Sequence, residues 1–189
     1  MPDMIRDGTG KGYLAQVDDN NRIHVHSTNS TESKYINKFD KEAYTLPIPN
    51  ISADASDNCI VYIKNTSSTK DLLIPRIRHR CSGSDTIVKI YINESGTPTG
   101  GTTLTPNNRN SSSSLKATGT FYKGSDISGL DNNGDQVGGI FSKDGDTFQE
   151  FAPCSDIILG PQGVLTIRVD NATATNFLGI GLFYEEVED

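Results

Sequence analysis

The chain has 189 residues and a formal net charge of −7, from 17 Lys and Arg against 24 Asp and Glu. Ser, Thr, Asn and Gly fill over a third of it and hydrophobic residues only 34%, a turn-rich composition that excludes a helical bundle built on Ala, Leu, Glu and Lys. The acidic balance argues against general nucleic-acid binding, which needs a basic footprint. No apolar run approaches the ~20 residues of a membrane span, and residues 1–12 lack the apolar core of a secretory signal. Cys59, Cys81 and Cys154 are therefore expected as reduced, mostly buried thiols.

In chain order, Asp7 to Gly12 is polar and flexible in composition. Tyr13–Val17 and Arg22–His26 flank an Asp/Asn turn and read as a β-hairpin. A lone hairpin is marginal in water, so this one must pack on the body or on a neighbour. Ser27 to Ser33 is a polar linker, and residues 34–44 leave open a helical turn or an edge strand. In the body, Cys59, Val61 and Ile63 alternate with Ile60, Tyr62 and Lys64. Leu72 to His79 is a second strand, whose Pro75 implies an edge or a bulge. Val88–Ile92, Val164–Val169 and Phe177–Tyr184 follow, the last with Gly179 and Gly181 on one face. Weaker strands fit at 115–122, 137–141, 147–152 and 156–159, and Glu94 to Ser114 reads as a long polar loop. The expected fold is an all-β antiparallel sandwich, jelly-roll-like, with residues 1–30 as an N-terminal hairpin arm and 31–189 as the body.

Candidate chemistry is sparse. Gly8-Thr9-Gly10-Lys11-Gly12 matches neither phosphate-loop spacing, and a strand, not a helix, follows it. His24 and His26 share one strand face but lack a third ligand, which favours a contact face over a metal site. Asp131, Asn133 and Asp135 begin a calcium-loop spacing, yet Gln136 and Ser142 stand where that loop needs Gly and Glu; an ordinary turn is the better account. No nucleophile elbow, HExxH or triad context appears, so neither catalysis nor a cofactor is expected. Arg76, Arg78 and Arg80 lie on one face of a strand and are expected to grip acidic groups of a partner, or else Asp or Glu on the next strand of their own sheet.

The opening Asp7-Gly8-Thr9-Gly10-Lys11-Gly12-Tyr13-Leu14-Ala15-Gln16-Val17, with Asn21-Arg22-Ile23-His24-Val25, resembles the N-terminus of virion structural proteins of tailed bacteriophages. Ile60–Asn65 leading into Asp71–Ile74 is similar to the same group, as are the Thr97–Gly101 and Thr105–Asn110 loop and Gly163–Ile167 before Phe183-Tyr184-Glu185-Glu186. The resemblance implies a non-enzymatic accessory protein of the virion, folded in the host cytoplasm. It also implies a jelly-roll-like body in symmetric assemblies, a homotrimer by preference, bound to capsid, collar or tail proteins. Partner contacts are assigned to Tyr13, Leu14, Val17, Ile23 and Val25 of the arm and to Arg76, Arg78 and Arg80 of the body. The competing expectation is a receptor- or carbohydrate-binding module of a phage fibre. Absence of Trp weakens it, but Tyr91 and Tyr122 remain as possible sugar platforms.

Overall fold

The computed structural model describes residues 5–6, 14–15, 36–153 and 156–186, and the chain divides into two compact units, 1–31 and 32–189. In the first unit β1 (Ile5–Arg6) pairs antiparallel with β2 (Leu14–Ala15), Arg6 opposite Leu14. The expected second hairpin strand, Arg22–His26, lies outside the described residues, as do His24, His26 and the contact candidates Tyr13, Val17, Ile23 and Val25. Cys154 does too.

The second unit opens with a helical turn at 36–40, where Asp40 and Lys41 amides both donate to the Ile36 carbonyl. Its principal strands are β3 (Ala43–Ile51), β4 (Asn58–Asn65), β5 (Lys70–Ser82), β6 (Thr86–Ile92), β12 (Asp135–Ser142), β13 (Gln149–Phe151), β14 (Ile157–Leu159), β15 (Val164–Val169) and β16 (Thr175–Glu186). One sheet runs β12-β6-β15-β4 and the other β13-β5-β16-β3, with β14 also on β5. Consecutive strands cross between sheets at each step except β6 to β12, which are neighbours, and β13 to β14, which both pair with β5. All strand pairs are antiparallel. That connectivity is a jelly roll.

Alternation dictates the core. Leu46 and Ile48, Ile74 and Ile77, Val88 and Ile90, Leu165 and Ile167, and Leu178, Ile180 and Leu182 all point between the sheets. Each such side chain contributes about 1.5–3 kcal/mol by leaving water. Tyr44 and Tyr184 pack edge to face at 6.0 Å, and the Tyr184 hydroxyl donates to the Thr118 carbonyl.

Three local departures matter. First, β4 does not keep simple alternation: the register slips where Ile167 faces Val61 but Arg168 faces Cys59, so Ile60 and Val61 both enter the core. Cys59 thereby joins Tyr62 on the outer face, opposite to the side that strict alternation gives it. Second, Pro75 sits at a bulge, where β5 places two residues against one of β16, between Arg76–Gly181 and Leu73–Phe183. It also falls in the gap between β13, which pairs with Ile77–His79, and β14, which pairs with Leu72–Ile74. No neighbour there needs the amide that proline lacks. Third, the expected loop Glu94 to Ser114 carries strands of its own: β7 (Gly96–Thr99), β8 (Thr102–Thr103) and β9 (Asn107–Asn108). Its polar side chains hid them, because these strands lie on the surface. β8 extends one sheet through β10 (Gly119–Lys123), and β9 extends the other through β3.

Candidate functional site

The two outer faces of the sandwich differ. Parts of the connection between β6 and β12, β7 paired to β11 (Ser128–Leu130) and the residues from Gly124 to Gly134, fold over the outer face of the β4 sheet. Ile127 packs on Cys59, Tyr62 and Val164. Amides of Gly124 and Ile127 take the Ile60 and Cys59 carbonyls beside the bulge. Beneath this cover lies an ion pair between Glu94 and Arg168, with Arg168 also donating to the Asp57 carbonyl and Asn132, and Thr166 donating to Glu94. The Glu94 side chain is 1% exposed and that of Arg168 10%, so every charge here is matched by a structural partner. Sequence reasoning missed this pair. In β15, Thr166 and Arg168 look like solvent-facing positions of an alternating strand, and nothing local announces Glu94, 74 residues away.

Asp131, Asn133 and Asp135, the partial calcium-loop spacing read as an ordinary turn, belong to the same cover. The Asp131 carboxylate accepts from the Ser95 hydroxyl at 2.6 Å, Asn133 accepts from the Ser95 amide at 3.1 Å, and Asp135 accepts from Asn93 at 3.2 Å. They tie the strand-β6 exit to the approach to β12. Among the described residues no three His, Cys, Asp or Glu side chains group as metal ligands. Tyr122 lies against Tyr62 at 6.2 Å, and Tyr91 under Arg168 at 5.8 Å, so both rings have protein partners.

A polar cluster centred on His79 lies between the sheets. His79 is fully buried, with Nδ1 2.7 Å from the Ser142 hydroxyl and Nε2 2.9 Å from Asn176 Oδ1. The Asn176 amide donates to the Ile51 and Ala174 carbonyls, so its oxygen must accept and Nε2 carries the proton. Ser142 is on β12 and Asn176 on β16, so the imidazole ties the two sheets together. Burial lowers the His79 pKa from its ordinary value, against the opposing hydrogen bond from Asn176. Cys59 and Cys81 are buried free thiols. Burial pushes the Cys59 pKa up to about 12 and raises that of Cys81, which removes them as nucleophiles.

On the other outer face, that of the β5 sheet, no described residue covers the middle. On β16 the outward row is Phe177, Gly179, Gly181 and Phe183. Phe183 is sealed under Ile36, Leu73 and Ala43. At the other end Phe177 carries the Arg80 guanidinium 4.4 Å from its ring centroid, with the half-exposed Phe148 ring at 5.3 Å. Between these ends the two glycines floor a trough of about 440 Å³. Arg76 and Arg78 stand along the β5 side, opposite Gly181 and Gly179 in register, and Thr45 and Pro47 on the β3 side. Arg109, just past β9, reaches the same trough and is fixed by its amide bond to the Ala43 carbonyl.

The basic stripe thus divides. Arg76 and Arg78 share Glu150 of the adjacent β13, at 3.7 and 2.8 Å, which is pairing within their own sheet. The Arg78 hydrogen bond holds the Glu150 carboxyl below the ordinary carboxylate range. Arg80 takes aromatic partners instead. Among the described residues no helix is long and apolar enough to cross a membrane. No family model, curated protein or solved structure matches the chain.

Proposed function

We propose that the chain is a non-enzymatic accessory structural protein of a tailed-phage virion, joined to the particle through residues 1–30 and displaying its jelly-roll body. The observation that carries this reading is the division of the chain: residues 1–31 form a compact unit of their own, and among the described residues the main core of the body is built of side chains from Tyr44 to Tyr184. The resemblance of Asp7–Val17 to virion N-termini points the same way. The buried ionisable groups support a structural role, since His79, Glu94 and Arg168 are each engaged in holding strands or cover together. Copies are expected to close into a homotrimer, since cyclic closure is the rule for symmetric assemblies.

Antibody labelling of tailed particles from the source organism tests this reading. Label on intact particles, lost when residues 1–30 are deleted while the body stays folded, is the expected result. Label confined to the cell, or full incorporation of the truncated chain, overturns it.

A further inference from the structure

The glycine pair on β16 has no internal explanation. Neither Gly179 nor Gly181 has a positive φ. A Cβ built on Gly179 meets nothing within 4 Å, and one on Gly181 comes no nearer than 3.7 Å to Pro75. Glycine in a strand interior costs about 0.5–1 kcal/mol relative to Ala, and elsewhere it marks close approach by a ligand or another backbone. Among the described residues no backbone closely approaches either glycine, so the missing side chains leave room for an occupant.

The walls say what it is. Three guanidiniums, Arg76, Arg78 and Arg109, face the trough against the single carboxylate of Glu150. Glu150 takes the Nε edge of Arg78, leaving its Nη groups for a second acceptor, and no carboxylate among the described residues pairs with Arg109. In a chain of net charge −7 this local positive excess fits an anion, and guanidinium binds a carboxylate as a fork. The floor is equally selective. Gly179 is paired to Arg78 on one side and Pro47 on the other, Gly181 to Arg76 and Thr45. The floor's amides and carbonyls are therefore used within the sheet, and a peptide main chain finds no ladder to join. What remains is a flat CH₂ surface about 10 Å wide, two strand spacings, with the Thr45 hydroxyl and the Phe148 and Pro47 rings at its rim. A sugar ring lays a C–H face on such a floor and turns its hydroxyls to the walls.

We propose that this trough binds a carboxylate-bearing sugar chain, with Gly179 and Gly181 under the ring and Arg78 and Arg109 on the carboxylate. Its volume of about 440 Å³ falls within the range of small-ligand sites, roughly 300–1,000 Å³. Binding there does not depend on where the protein is mounted, so the full chain in solution shows it whether or not the virion reading holds.

The test is an NMR titration of the labelled full chain with oligogalacturonate, oligomannuronate and oligosialate, against neutral maltotetraose and hexaglutamate. Amide shifts centred on Gly179, Gly181 and Thr45 are expected with at least one acidic oligosaccharide and not with maltotetraose. Arg109→Gln is expected to weaken binding by about tenfold, the loss of one charge-assisted pair. Gly179→Val is expected to abolish binding. Equal binding of maltotetraose, tighter binding of hexaglutamate, or no shift with any acidic oligosaccharide overturns the proposal. The hexaglutamate result assigns the trough to an acidic peptide partner.

Discussion

The outer face of the β4 sheet lies under β7 and residues 124–134, with a buried ion pair and the Ile127 cluster beneath, whereas among the described residues the outer face of the β5 sheet carries a glycine-floored trough between exposed arginines. The connection between β6 and β12 thus covers one face and reaches only the edge of the other, through β9 and Arg109. On the covered face polar groups are desolvated and must be matched one for one, so the chain's stability depends on each partner. On the open face the charges remain in water, where a pair such as Arg78 with Glu150 contributes little. One face holds the protein together and the other is available to a ligand.

Substitutions separate the faces most sharply where a buried charge is left alone. Arg168→Leu is expected to cost about 3–5 kcal/mol in denaturant unfolding, since it strands the Glu94 carboxylate. A loss below 1 kcal/mol would show that the cover admits water. Ile127→Ala removes the apolar plug over Cys59 and Tyr62 and should cost about 2–4 kcal/mol, read as a lower urea midpoint at unchanged slope. The interior shared by both faces gives a pH signature. Burial lowers the folded-state pKa of His79, so below the unfolded value near ~6.5 the unfolded chain binds the extra proton. Stability is then full above that pH and falls on acidification, by at most about 1.4 kcal/mol per pH unit for this one group. The difference in stability between the parent and His79→Gln should shrink on going from pH 7 to pH 5; a constant difference contradicts the assignment. On the open face Arg78→Gln should change stability by less than about 1 kcal/mol.

Much of this architecture was legible in sequence. Alternation at Val88–Ile92 and Leu165–Val169 marks core strands: Val88, Ile90, Leu165, Ile167 and Val169 are buried as the pattern implies, although in β15 the outward Thr166 and Arg168 are buried as well. Pro75 signals its bulge because a proline has no amide to give to the ladder, whereas the bulge in β4 carries no such residue. The Phe177-x-Gly-x-Gly-x-Phe183 row was visible as a face, but not that its neighbours are Arg76, Arg78 and Thr45, since that depends on which strands flank β16. Cys59 was read on the wrong side because a bulge leaves no compositional mark. Arg168 looked exposed because its cover comes from a segment so polar that its strands were invisible. Local pattern fixes which residues turn inward, while long-range coverage decides which outward residues meet water.

The claim that the open face is kept bare for an external occupant is tested most directly by the thermal stability of Gly179→Val. With no described residue within 4 Å of the added Cβ, a β-branched residue in mid-strand should leave the melting temperature unchanged or raise it, by up to about 1 kcal/mol in stability. A loss of more than about 1 kcal/mol would mean that the fold itself requires glycine there, and would contradict the account.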